Sequence, residues 1–167
     1  HDDVLPVKPI FDVDGRAALC AVMQAGPLLA FDFDGTLAPI VANREMAHMR
    51  ARTSELFAKV CSLYPCAVIS GRSQPDVSAR LGSAPIKYVI GNHGLEQWHD
   101  GQVHYAPEAL SYRVSIERVI AALDSLLLPG MQLEDKTVTL SIHYRRAHDP
   151  AAAEALAAPL RALAEAE

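Results

Sequence analysis

The sequence predicts an α/β fold, a parallel sheet core followed by a smaller α+β unit, and three observations carry that prediction. Apolar runs at 28–33, 66–69 and 87–90 alternate with helical patterns. That strand–helix–strand order is the signature of a parallel sheet. Each run opens into a glycine-rich polar turn, DGT, SGR or GNHG. Beyond the third turn the pattern changes to hairpins and longer helices.

Residues 14–25 read as a helix, apolar on one side and ended by Gly26-Pro27. Leu28 to Phe33 has almost no polar alternation, as in a central strand covered on both faces. A helix is expected over 45–63 before Pro65, then a strand from Cys66 to Ile69, a short helix at 75–81 and a strand from Lys87 to Ile90. Leu95–Trp98 and Gln102–Tyr105 flank Asp100-Gly101, a hairpin signal. Residues 112–128 are helical in pattern and stop at Pro129-Gly130. Met131–Glu134 and Thr137–Tyr144 read as paired strands, and Asp149-Pro150 opens an alanine-rich helix with Asp149 as N-cap. The division expected is a core over 1–105 and a partial α+β cap over 106–167.

Half of the 167 residues are hydrophobic, enough for a sizeable core, and the formal net charge is −5. No basic cluster offers itself to nucleic acid, whose affinity comes from Lys and Arg on phosphates. The apolar stretch VIAALDSLLL is too short for a bilayer and contains Asp124, so no membrane partner is expected. Three cysteines, without a Cys-x-x-Cys pair, read as buried thiols in a reducing, cytoplasmic setting. The chain opens at His1 without a methionine, as a processed, tagged or excised chain would.

The chemistry concentrates in LLAFDFDGTLAPI at 28–40. Asp32 and Asp34 stand two apart at a strand end and start toward the same side, with Phe31 and Phe33 opposite. Carboxylates after a buried strand carry a desolvation cost that a divalent cation offsets, and Mg2+ favours one or two carboxylates plus phosphate oxygens. One carboxylate can attack phosphorus while the other acts as general acid and base. Turn amides and the Thr36 hydroxyl can hold the transferring oxygens. Ser70, Gly71 and Arg72 follow the second strand, where a hydroxyl and an amide together can bind a phosphate oxygen. GNHGLE places Asn92, His93 and Glu96 in a hinge or substrate-facing turn, with His93 unsuited to metal for want of a partner histidine. His99 and His104 are expected at the surface. In TVTLSIHYR, Val138, Leu140, Ile142 and Tyr144 share one face, while Thr137, Thr139, Ser141, His143 and Arg145 form a polar face suited to a hydroxyl-rich sugar. Glu134 and Lys136 flank the preceding turn.

Together these motifs resemble a known family. DFDGTLAPI and VISGR resemble the first two motifs of the haloacid dehalogenase-like phosphatases, and GNHGLE with EDKTVTLSIHYR resembles the trehalose-6-phosphate phosphatases, over residues 27–167. The resemblance implies Asp32 as nucleophile and magnesium ligand. Asp34 would be the general acid/base, with its backbone carbonyl at the metal. Thr36 would support the turn and Ser70 would bind the phosphoryl group. Glu134 and Lys136 would contact the disaccharide from a mobile cap. Asn92, His93, Glu96, His143 and Arg145 would shape or close the site. The implied reaction is magnesium-dependent hydrolysis of trehalose 6-phosphate through an aspartyl phosphate.

The same family continues beyond this length, to a lysine and an acidic GDD-type motif with no counterpart before Glu167. The expectation is therefore an N-terminal piece of a longer enzyme, weak or inactive by itself, whose first strand presents an open apolar edge. Its partners would be a small sugar phosphate, the remainder of its own chain, or a trehalose-6-phosphate synthase. The competing readings are a phosphatase of sucrose phosphate or glucosylglycerol phosphate, and a non-catalytic module that binds a sugar phosphate or a partner.

Overall fold

A computed structural model of the chain describes residues 9–144 and 146–165. Helix α1 spans Val13–Gln24, and the Asp12 carboxylate accepts the Gly15 N–H at 2.6 Å to cap it. No residue of α1 is buried, so the expected apolar side finds no partner among the described residues. Strand β1 spans Leu29–Asp32. Helix α2 spans Ala51–Leu63 and buries Phe57 and Cys61, one turn apart on one face. The helix expected from 45 starts later. Arg44–Met46 form a separate 3-10 turn, and Ala47 and Arg50 are extended. The Asn43 side chain accepts the Glu45 N–H at 3.1 Å and holds that turn apart.

Strand β2 (Cys66–Ile69), helix α3 (Gln74–Arg80) and strand β3 (Tyr88–Gly91) follow, then the hairpin strands β4 (Glu96–His99) and β5 (Gln102–Tyr105). The five strands make one sheet in the order β1-β2-β3-β4-β5, parallel through β3 and antiparallel beyond. The change of sense follows from the GNHG turn, which sends the chain straight back beside β3. Asp100-Gly101 closes the hairpin with positive φ at both residues, as a tight primed turn requires.

The expectation of β1 as a strand covered on both faces fails here. It lies at the sheet edge, paired with β2 alone, and its burial alternates, with Ala30 and Asp32 exposed. It is β2 that is buried through Cys66, Ala67 and Val68. The open-edge expectation for the first strand thus matches the pairing. The first core gathers Phe33, Leu37, Phe57, Val68, Val77 and Val89 between the sheet and its helices.

The second unit has its own core. Helix α4 spans Arg113–Leu123, shorter than the pattern over 112–128 because 3-10 turns at Ala109–Tyr112 and Asp124–Leu126 flank it. Strands β6 (Gln132–Asp135) and β7 (Leu140–His143) pair antiparallel, and helix α5 spans Pro150–Glu165. Thr137 and Val138 belong to the turn and not to β7; Thr137 has φ 72°. Asp149 caps α5 as expected, its carboxylate accepting the Ala152 N–H at 3.0 Å. Val119 and Leu123 of α4 meet Ala153 and Leu160 of α5 and Met131, all buried. Ala153 and Leu160, two helical turns apart, put one stripe of α5 on this core.

Cys61 and Cys66 are buried free thiols, whereas Cys20 is exposed, against the expectation for it. Burial, and then the hydrogen bond with Cys66, push the Cys61 thiol up to about 12, so it is not a nucleophile. His104 is exposed and stacks on half-buried His99, ring centroids 4.2 Å apart. No described helix is long and apolar enough to cross a membrane.

Candidate active site

The parallel pairing of β1, β2 and β3 brings their carboxyl ends to one end of the sheet, so the DGT, SGR and GNHG turns are neighbours. Ligands in open α/β sheets bind beyond such strand ends. Asp32 ends β1 with an exposed carboxylate, and the Thr36 hydroxyl lies 3.5 Å from its Oδ2. Phe33, fully buried, anchors the turn from behind. Its carbonyl accepts the N–H groups of Leu37 and Ala38 at 3.0 and 2.9 Å, closing the turn. Gly35 has φ 94°, a conformation an L side chain rarely adopts.

Arg72 is nearly fully buried and its guanidinium is engaged by protein groups. Nε and Nη2 donate to the two oxygens of Asp34, both at 2.7 Å, Nη1 donates to Asp76 at 2.8 Å, and Nη2 also reaches the Arg44 carbonyl at 2.8 Å. The face of Phe33 lies 5.6 Å beneath it. The hydrogen bonds from Asp34, stronger than the opposing desolvation, raise the Arg72 pKa further above its ordinary value. Arg72 therefore holds Asp34 in place, a different task from the ligand contact expected of it. Asp76 bonds both Arg72 and Arg80. Burial by itself would raise its carboxyl, but the hydrogen bonds and charges of Arg80 and Arg72 outweigh that and hold it below the ordinary value.

Ser70 is buried, and its hydroxyl accepts the Arg72 N–H at 3.2 Å. Gly71 is there because the His93 imidazole lies against it; a Cβ would meet the ring at 2.6 Å. Asn92 and His93 both have positive φ, 46° and 56°, the left-handed turn that reverses the chain. Glu96 is buried and accepts the Gln74 N–H at 2.6 Å, fixing the start of α3. Asn92 is also buried. Its amide donates to the Lys136 carbonyl at 3.1 Å and accepts from the Thr139 hydroxyl at 2.9 Å. The sequence expected Asn92 and Glu96 near the ligand; the structure gives them scaffold contacts.

The hairpin β6–β7 reaches the same turns. Lys136 Nζ donates to the Gly71 carbonyl at 2.9 Å, which sets the second unit on the SGR turn. Burial, more than the nearby charges, lowers the Lys136 pKa. His143 Nε2 is 2.6 Å from Glu134 Oε2, and Arg44 bonds the same oxygen. Arg145 lies outside the described residues. A cavity of about 1020 Å³ opens beside this hairpin, lined by Arg44, Asp76, Arg80, Glu134, His143 and Tyr144 among others. Asp32 and Asp34 do not line it; the Arg72–Asp76 pair stands between Asp34 and its wall. Arg44 and Asp76 escaped the sequence reading. Asp76 carried a signal, since Arg72, Asp76 and Arg80 are spaced i, i+4. Arg44, ninety residues from Glu134, carried none.

The comparisons with known proteins agree with this geometry. The sequence pattern of the family described as trehalose-phosphatase matches residues 30–167. The chain belongs to the trehalose-phosphatase family. A trehalose-phosphate phosphatase of Mycobacterium tuberculosis (strain H37Rv) is 35% identical over 124 residues, 72% of this chain and 32% of the relative. That of Mycobacterium leprae is 34% identical over 122 residues, 71% of this chain and 28% of the relative. The chain thus spans about a third of the length of these curated relatives. The fold is shared with the C-terminal domain of the Candida albicans trehalose-6-phosphate phosphatase, at TM-score 0.70 and 24% identity, over 89% of this chain and 53% of that one. It is shared too with the Aspergillus fumigatus trehalose-6-phosphate phosphatase, at TM-score 0.53 and 26% identity, over 95% of this chain and 60% of that one. The family membership covers both the sheet with Asp32 and the hairpin with Lys136. The α/β fold expected from the sequence is the one found.

Proposed function

We propose that the protein carrying this chain is a trehalose-6-phosphate phosphatase that releases trehalose and inorganic phosphate through a phosphoryl group carried on Asp32. The observation that carries the reading is the bond from Lys136 Nζ to the Gly71 carbonyl. It sets the polar hairpin of residues 106–167, the unit we take as the cap, on the turn beside Ser70. Sugar-facing and phosphate-facing residues then border one site.

Asp32 is free to attack phosphorus, since its carboxylate is exposed and touched only lightly by Thr36. Its attack forms the Asp32–phosphorus bond and breaks the bond from phosphorus to the sugar oxygen. Asp34 then supplies a proton to that oxygen and takes one from the water that later releases phosphate. The bidentate grip of Arg72 makes Asp34 an acceptor on both oxygens. One oxygen has to leave Arg72 before Asp34 can work as an acid. Ser70, the Gly71 amide and Thr36 are placed to hold the equatorial oxygens.

The residues fit part of a magnesium site. The Asp32 carboxylate and the Asp34 backbone carbonyl would hold the ion, and Mg2+ takes its other ligands from phosphate and water or from chain beyond these residues. No cluster of three His, Cys, Asp or Glu residues is assembled among the described residues. The ion supplies charge neutralisation at the transferring group. Trehalose, the sugar in the names of the relatives, suits the polar hairpin better than a hexose alone. The buried free thiols Cys61 and Cys66 suit a cytoplasmic setting, and a trehalose-6-phosphate synthase would supply the substrate.

The test is phosphate release by the whole protein from trehalose 6-phosphate, sucrose phosphate, glucosylglycerol phosphate and glucose 6-phosphate. Turnover should be greatest on the first, stop with EDTA and return with Mg2+. Asp32→Asn should lower kcat by about 10³-fold or more, as loss of a covalent nucleophile does. Equal rates on all four sugars would refute the substrate assignment.

A further inference from the structure

We infer that Arg44 is a positioning residue for sugar recognition: it fixes the Glu134 carboxylate of the hairpin against the core, so that one Glu134 oxygen stays open for a sugar hydroxyl. This rests on the trehalose 6-phosphate reading and adds to it a residue of the turn after DFDGTL.

Arg44 is tied at both ends. Its carbonyl accepts Arg72 Nη2 at 2.8 Å, on the same guanidinium that grips Asp34. Its side chain crosses to the hairpin, where Nη1 bonds Glu134 Oε2, while Nη2 lies 3.7 Å from Asp76. His143 Nε2 is 2.6 Å from the same Oε2. A carboxylate has no hydrogen to give, so Nε2 carries the one in that bond. The 3.2 Å approach of Arg44 Nη1 to Nε2 is then two donors sharing one oxygen. Glu134 Oε2 is saturated. Oε1 has no protein partner among the described residues, and no buried side-chain oxygen or nitrogen there lacks one, so Oε1 is accessible. Glu134 lines the large cavity, which has room for a disaccharide. An acceptor held in one rotamer by two donors has little orientational freedom left to lose when a hydroxyl arrives.

Arginine is required by this geometry. A planar fork reaches Glu134 with one nitrogen and Asp76 with the other, and a lysine ammonium cannot span both. Arg44→Ala removes the fork but keeps the carbonyl that Arg72 uses, so the hold on Asp34 survives.

The experiment compares kcat/KM of the whole protein on trehalose 6-phosphate and on p-nitrophenyl phosphate, which has no sugar. Arg44→Ala should lose about tenfold or more in the ratio of the two, mostly through KM for the sugar phosphate, the worth of about one charge-assisted hydrogen bond. Arg44→Lys should recover only part. In a Glu134→Gln background Arg44→Ala should cause little further loss of that ratio, because its effect runs through Glu134. Equal losses on both substrates, no loss on either, or full additivity with Glu134→Gln overturns the inference. If Arg44→Ala does not fold, Arg44→Lys decides by the same ratio. Wild-type protein that turns over p-nitrophenyl phosphate but not trehalose 6-phosphate overturns the function itself and this inference with it. Wild-type activity with an unchanged ratio in the variants overturns the inference alone.

Discussion

Arg72 carries the most at the scale of single residues. Two carboxylates and a carbonyl share its buried guanidinium, and the sequence marked it only as part of SGR. Its removal leaves Asp34 and Asp76 without their partner. Arg72→Met should therefore destabilise by roughly 2–4 kcal/mol, below the full cost for a buried pair because both carboxylates are partly open to solvent. Denaturant unfolding measures it, and a change under about 0.5 kcal/mol would mean that the fork contributes nothing net. Asp76 gives a pH prediction. Its folded pKa lies below the ordinary value of 3.8, so the unfolded chain takes up protons first as pH falls. Its contribution is present above about pH 4 and disappears as pH drops through the folded value. The acid limb of the stability profile should be shallower in Asp76→Asn; an identical limb would exclude Asp76 as a source of acid sensitivity.

The helices, strands and turns divide by how local their causes are. Asp149-Pro150 reads as a helix start in any context, since the cap needs only the next few residues, and α5 begins there. Asp149→Ala should cost about 1 kcal/mol in denaturant midpoint experiments, the usual worth of such a cap; no change would assign the helix start to packing. β2 matched the sequence from Cys66 to Ile69 because an apolar run bounded by polar turns leaves little latitude. The helix over 45–63 was misread at its start, where Asn43 and Arg44 make contacts that no periodicity contains. β7 was misread too. Alternation ran from Thr137, but Lys136 and Thr139 turn inward to Gly71 and Asn92, and the ladder begins only at Leu140.

At the scale of the whole chain, two cores meet across polar contacts. Asn92, Lys136 and Arg44 each cross between them. Asn92 is the buried one, with an amide that serves both the Lys136 carbonyl and the Thr139 hydroxyl. Asn92→Ala should cost about 2–3 kcal/mol, from unsatisfied buried groups and a positive φ that alanine tolerates poorly. Amide exchange should then rise in β6 and β7 more than in β2 and β3. A uniform rise over both cores would show that Asn92 serves global stability and not the docking of one unit on the other. β1 remains the edge of the sheet, exposed on Ala30 and Asp32, so the strand that presents the nucleophile is the least supported of its sheet.

The sequence by itself determined the α/β order, the strand that delivers Asp32 and Asp34, the cap of α5 and the family to which the chain belongs. Each depends on neighbours within a few residues, where periodicity, turn chemistry and spacing act. Only the tertiary structure decided which polar residues were free to meet a ligand. Asn92, Glu96 and Arg72 looked like ligands and proved to be braces, while Arg44 looked like nothing and bridges the two units. The physical reason is that a buried polar group must find partners, and those partners come from segments far apart in the chain, where no local pattern records them.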